Sequence, residues 1–195
     1  MYSGVGIMNK YFKIVCATVM IFTSAFMLGC DDSDNYSEDV PNVAQDMEVQ
    51  GNFPAFVARD INGNQVTNEI FAQKKLTVVN IWGTFCPPCI GEMPELGEWA
   101  HEMSSDVQLI GIVCDVRGDG DTNTINSAKK ILNDSKADFV NIVPNAEIGT
   151  YLQDVEAVPT TIFVNSKGEI VGNPIIGADV SGYKNFVEGY INAQN

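Results

Sequence analysis

Cys86 and Cys89 stand three residues apart in the run Trp82-Gly83-Thr84-Phe85-Cys86-Pro87-Pro88-Cys89-Ile90-Gly91-Glu92-Met93-Pro94. An apolar, strand-like stretch from Leu76 to Trp82 precedes the pair, and a helix-like pattern follows it. Two thiols at that spacing can close into a disulfide and reopen, and a helix N-terminus favours the thiolate that attacks. The spacing therefore points to redox chemistry. It also supplies half of a zinc site. Zinc would need two further ligands, and outside the N-terminal segment the chain offers one His, His101, and one more cysteine, Cys114.

Within the pair, Cys86 falls at the helix N-terminus and is the expected nucleophile, while Cys89, a turn later and more inward, is the expected resolving thiol. A purely structural disulfide closing so short a loop would stabilise little. Pro87 and Pro88 have no N–H, so they suit the first helical positions and withhold donors from the Cys86 sulfur. A less stabilised thiolate disfavours the reduced form, a hint towards a reductant. Glu92 lies on the same helical side as Cys89; buried there, it would have a raised pKa and could accept the Cys89 proton. A solvated surface Glu is the plain alternative. Pro94 should kink the helix.

Other residues of chemical interest carry less. Cys114 sits at the end of an apolar strand-like run from Val107 to Val116 and reads as a core residue. His101 reads as exposed. Asp119-Gly120-Asp121-Thr122-Asn123 begins like a calcium loop, but Thr124 and Lys130 stand where Gly and Glu are needed.

Lys10 and Lys13 precede an uncharged apolar stretch from Ile14 to Leu28, which ends in Met27-Leu28-Gly29-Cys30. Basic, apolar, then small before the cut is the layout of a secretory signal. With a cysteine directly after the small residue it resembles a bacterial lipoprotein signal, which implies that Cys30 carries the lipid; Met27 departs from the usual Leu. An uncleaved anchor is the alternative, though the stretch is short for a bilayer span. Residues 1–29 are thus expected to be the signal and 30–49 an acidic tether too poor in large apolar residues to fold. Residues 50–195 are left for one domain. The expected address is the extracytoplasmic face of the bacterial cytoplasmic membrane, held by lipid. The formal charge of the whole chain is −14, which repels phosphate backbones and speaks against a nucleic-acid partner.

The elements that must position the pair alternate, as in an α/β domain. Phe53 to Val57 and Gln65 to Thr67 flank an Asn-Gly turn and predict a hairpin. The Leu76 to Trp82 strand and a helix to about Ser104 follow, with Met93, Leu96, Ala100 and Met103 on one face. Next come a doubly covered strand from Val107 to Val113, a helix from Asp121 to Asn133, a short segment from Phe139 to Val143 and a helical turn from Ile148 to Leu152. Val158-Pro159-Thr160-Thr161 leads into Ile162 to Val164 and Glu169 to Val171 around a turn. Ser181 is the expected cap of a last helix whose inward face holds Tyr183, Phe186, Val187, Tyr190 and Ile191.

Taken together, Trp82, Cys86, Cys89, Glu92, Pro94 and Val158-Pro159-Thr160-Thr161 resemble, in type and order, the membrane-tethered TlpA/ResA-like thiol-disulfide reductases. The resemblance covers about residues 50 to 193. It implies a thioredoxin-like fold, a central mixed β-sheet flanked by helices with an added N-terminal β-hairpin. It also implies that Glu92 does the work of the buried Asp of ordinary thioredoxins, whose position is held here by Asn80. Pro159 is implied to be a cis-proline packed on the disulfide, and Val158 to offer backbone groups to a substrate segment. Trp82, Pro87 and Pro88 are assigned to the same substrate-binding surface, although Trp82 suits a merely buried role as well. The implied activity is reduction of disulfides in a client protein, with a membrane thiol electron donor restoring the dithiol and no cofactor beyond the two sulfurs. The alternatives are a disulfide-forming oxidant, a thiol peroxidase of the same fold, in which Gly83 stands where Thr is expected, and a non-catalytic client- or copper-binding assembly factor.

Overall fold

A computed structural model describes residues 47–194. The signal, Cys30 and the tether up to residue 46 lie outside the described residues. One eight-stranded mixed sheet forms the frame. Its strands are β1 (Val49–Asn52), β2 (Val57–Asp60), β3 (Gln65–Thr67), β4 (Leu76–Trp82), β5 (Val107–Val113), β6 (Val140–Val143), β7 (Thr160–Asn165) and β8 (Glu169–Ile176), and they lie side by side in the order β1-β8-β7-β4-β5-β6-β2-β3. The helices are α1 (Pro87–Glu102), α2 (Thr122–Asp134), α3 (Ala146–Tyr151) and α4 (Val180–Ala193), with short 3-10 turns at Asn68–Gln73 and Leu152–Asp154.

β4 is central because all seven of its residues are buried, and only a strand covered on both faces can bury every side chain along its length. It pairs in parallel with β5 and antiparallel with β7, which makes the sheet mixed. Side chains alternate across it. Val78 and Trp82 join Cys89, Met93, Leu96, Leu132, Phe163 and Tyr183 in one apolar cluster, while Val79 and Ile81 join Phe71, Ile110, Ile142, Ile148 and Ile162 in the other. Asn80 therefore points into the layer shared with α1 and α4.

The predicted elements form, with three differences at their ends and edge. The first strand begins at Val57 rather than Phe53: Phe53 and Phe56 instead meet Phe71 edge-on in the second cluster, and burying three rings outweighs extending the ladder. β1, unforeseen, begins at Val49, the last residue assigned to the tether, and pairs antiparallel with β8. All four of its residues are exposed, so no apolar alternation announced it. α4 is capped by Asp179, whose carboxylate accepts from the Gly182 N–H at 2.9 Å, and Ser181 lies inside the helix donating to that carboxylate. Pro94 lies inside α1, where its missing N–H leaves one helical hydrogen bond unmade, and Met93 and Leu96 beside it are buried.

Candidate redox site

The pair lies at the carboxyl end of β4, where the chain leaves the sheet and turns into α1. Thr84 fixes that turn: its N–H and hydroxyl both donate to the Asp115 carboxylate, at 3.1 and 2.6 Å, tying it to the segment just past β5. A Cβ on Gly83 would sit 2.6 Å from the exposed Phe85 ring, which would have to turn aside.

Cys86 is the N-cap of α1 with extended backbone angles, and Pro87 and Pro88 occupy the first two helical positions, as expected. The two cysteines form a disulfide with Cα atoms 5.3 Å apart. Cys86 keeps 5% of its surface exposed and Cys89 none, so an incoming group meets Cys86 first. The Cys89 N–H donates to the Cys86 sulfur at 3.2 Å. The prolines supply no second donor.

Val158 and Pro159 close the other side. Their peptide bond is cis, and the Val158 carbonyl oxygen lies 3.5 Å from the Cys86 sulfur. Behind them β7 pairs with β8 through Thr160 and Ile176, and Gly177 N–H donates to the Pro159 carbonyl. On the segments next to Cys86 and Pro159, Pro87 and Pro88 are exposed, as are Phe85 (67%), Ile90 and, opposite Thr160, Ile176.

Trp82 needs correction as a substrate-contacting residue. It has no exposed surface, and its indole N–H donates to Asn141 Oδ1 at 2.8 Å. It shares the apolar cluster with both cysteines and serves as a wall behind them.

Beneath the pair lies a buried polar network. Glu92, 6% exposed, accepts from Asn80 Nδ2 at 2.9 Å and lies 3.1 Å from the Tyr183 hydroxyl. Asn80 also donates to Thr161 Oγ1 at 3.1 Å. Burial pushes the Glu92 carboxyl above its ordinary range; the Asn80 and Tyr183 hydrogen bonds pull the other way, and nearby Glu95 adds to the rise. A solvated surface Glu is thereby ruled out. Sequence reading placed Tyr183 only on the inward face of the last helix; a Tyr on an apolar face whose hydroxyl must find a partner was the available signal.

The remaining candidates fall elsewhere. Cys114 is a free, half-buried thiol just past β5, and burial together with Asp115 pushes it up to about 11, so it is protonated at neutral pH and a poor nucleophile. His101 is exposed, 3.3 Å from Asp138. Asp121 caps α2 through the Thr124 N–H and also accepts from the Arg117 N–H, which uses its carboxylate structurally. Among the described residues no three His, Cys, Asp or Glu side chains gather as a metal cluster, and no helix is long and apolar enough to cross a membrane.

The family model described as Redoxin matches residues 48–185. The chain is similar to the thiol-disulfide oxidoreductase ResA of Bacillus anthracis, 28% identical over 148 residues that cover 74% of this chain and 78% of that one. It is also similar to the sporulation thiol-disulfide oxidoreductase A of Bacillus subtilis, 27% identical over 140 residues, covering 67% of this chain and 76% of the relative. These relatives bear out the TlpA/ResA-like resemblance. Among solved structures, a thioredoxin-family thiol:disulfide interchange protein from Chlorobium tepidum superposes with a TM-score of 0.58 at 17% identity, covering 71% of this chain and 94% of that one. StoA from Bacillus subtilis superposes with a TM-score of 0.52 at 21% identity, covering 68% and 96%. Both show the expected fold.

Proposed function

We infer that this chain, which belongs to the Redoxin family, is a thiol-disulfide oxidoreductase that reduces disulfides in client proteins. The observation that carries this reading is the Cys86–Cys89 disulfide at the start of α1, in which Cys86 keeps a small exposed surface and Cys89 keeps none. In the dithiol form the Cys86 thiolate attacks a client disulfide, forming the Cys86–client bond and releasing the first client sulfur as a thiolate, which takes up a proton. Cys89, giving up its proton, then attacks the Cys86 sulfur, closing the protein disulfide and releasing the second client sulfur as a thiolate, which takes up a proton. The Cys89 proton passes to Glu92, whose buried carboxyl lies one helical turn on. Two electrons move from the protein to the client, and a thiol donor must return them.

The client is a polypeptide with apolar residues flanking its cysteine. Three of the six exposed large hydrophobics among the described residues, Phe85, Ile90 and Ile176, belong to the segments that border the Cys86 sulfur. The Val158 backbone offers an extended segment a partner beside it. Electron flow towards the client is supported by the sulfur environment: the Cys86 sulfur accepts one backbone N–H, and Pro87 and Pro88 add none. Equilibrating the couple against defined thiol buffers tests the direction. A potential of about −200 mV or lower is expected, and a value near about −120 mV would make the protein an oxidant.

The site of action is the outer face of the cytoplasmic membrane, with Cys30 carrying the anchor and a membrane thiol as donor. The basic-apolar-Gly29-Cys30 pattern supports this. Cys30→Ala should move the protein from the detergent phase to the aqueous phase on phase partitioning and abolish incorporation of labelled palmitate, since stable attachment needs the acyl chains. Retention of the variant in membranes would mean that residues 14–28 themselves anchor it.

A further inference from the structure

The Tyr183 hydroxyl has one proton and three partners within hydrogen-bond distance, with the Thr161 hydroxyl a fourth polar group beside it. It lies 2.7 Å from the Gly177 carbonyl oxygen, 3.1 Å from Glu92 Oε2 and 3.3 Å from the Asp179 N–H. A phenol donates once and accepts through its two lone pairs. The Asp179 N–H can only donate and so fills one lone pair. The Gly177 carbonyl can only accept, and at the shortest of the three distances it takes the proton. The remaining lone pair is open to Glu92 and to the Thr161 hydroxyl, so the Glu92 contact is satisfied when Glu92 carries its own proton and donates it. When Glu92 ionises, its oxygen can only accept. The hydroxyl must then turn to the carboxylate, a charge-assisted bond stronger than a neutral one, and the Gly177 carbonyl loses its partner.

That carbonyl is not an arbitrary one. The N–H of Gly177 is bonded to the Pro159 carbonyl, and the Val158 carbonyl lies against the Cys86 sulfur. We propose that Tyr183 is a positioning residue whose single hydroxyl proton relays the charge state of Glu92 to the backbone at Gly177, beside Val158 and Pro159. The inference rests on reading Glu92 as the proton acceptor of the cysteine pair. It adds that taking up the Cys89 proton tightens the strand end bordering the client groove, and losing it loosens that end, so proton transfer and client release act on one hydrogen-bond choice.

Few other groups compete for this role. On α1 the titratable neighbours of Glu92 are Cys89 and Glu95, and Glu95 is paired with Lys184 of α4 at 2.9 Å. From β4 and β7 the network receives Asn80 and Thr161, which do not titrate. The Asp179 carboxylate is held by its capping bonds to Ser181 and Gly182.

Tyr183→Phe keeps the ring in the apolar cluster and removes only the hydroxyl. In the full chain, infrared titration of the Glu92 carboxyl, assigned by its loss in Glu92→Gln, should show its proton affinity raised at least about threefold in Tyr183→Phe. The gain is limited because the wild-type carboxylate obtains its bond only by taking it from Gly177. Amide exchange supplies a readout that plain destabilisation would not move. In the wild type, protection of the Gly177 N–H should fall stepwise above the Glu92 midpoint, beyond the ordinary pH dependence. In Tyr183→Phe and Glu92→Gln the step should vanish. A Glu92 affinity raised less than about threefold in Tyr183→Phe, or a step that survives in either variant, overturns the relay. The oxidoreductase reading is judged by trapping at Cys86, which uses neither variant, so the two can fail separately.

Discussion

Cys86→Ser should lower the rate of client disulfide reduction by at least about 10³-fold, the scale on which loss of an essential nucleophile registers, whereas Cys89→Ser should still attack and then stall as a mixed disulfide. The asymmetry follows from position. Cys86 is the cap residue that keeps a small exposed surface and whose sulfur receives a backbone N–H, and Cys89 is fully enclosed one turn later. Stability does not confuse the comparison. Either substitution opens the same disulfide, and closing a loop of that length contributes only about 2 kcal/mol in the chain-entropy treatment, so any difference between the variants reports chemistry. Incubation with a disulfide-bonded polypeptide, followed by non-reducing electrophoresis, separates the outcomes. A higher-mass adduct with Cys89→Ser and none with Cys86→Ser is expected. The opposite pattern would reverse the roles, and no adduct with either would remove the redox reading.

How far the sequence carried this site depends on the range of the forces involved. The CxxC pair, the prolines that start α1 and the seven-residue run of β4 were legible because each is a local pattern: spacing, a missing N–H, a mostly apolar stretch. Glu92 could be placed beside Cys89 by helical period, but its burial depended on Asn80 from β4 and Tyr183 from α4, 12 and 91 residues away. No local pattern reports a contact at that separation. Ser181 was a sound cap by type, yet Asp179 won because its carboxylate reaches the N–H of Gly182 and leaves Ser181 free to donate back. Trp82 misled for a related reason. Its place next to the motif suggested contact with the client, while the Asn141 oxygen that turns its indole inward sits on β6, 59 residues on. β1 was invisible because its partner supplies everything: it has no buried side chain and exists by pairing with β8.

The same buried Trp82 gives the fold its most sensitive glycine. Gly111, in the middle of β5, stands opposite Asn80 on one side and Asn141 on the other. A Cβ there would fall directly on Asn141 Oδ1, with Asn141 Cγ at 2.8 Å and Trp82 Nε1 at 3.0 Å. None of these atoms can yield cheaply: Asn141 is 1% exposed and its amide is held by the Phe139 carbonyl at 2.9 Å. Gly111→Ala must therefore overpack the strand, costing about 1–3 kcal/mol, and orphan the buried indole N–H, costing about 1–3 kcal/mol more. Against this, removing a glycine from the unfolded chain returns only about 0.4–1 kcal/mol. The net loss is about 1–5 kcal/mol, which at this size lowers Tm by roughly 3–15 °C. Gly149→Ala is the control, since a Cβ at that position in α3 meets nothing within 4 Å, and its Tm should hold or rise slightly. Thermal unfolding of both variants, followed by tryptophan fluorescence, decides the matter. Equal Tm values for the two would mean that Asn141 swings aside freely and that the wall behind the cysteine pair is not held by the Trp82 hydrogen bond.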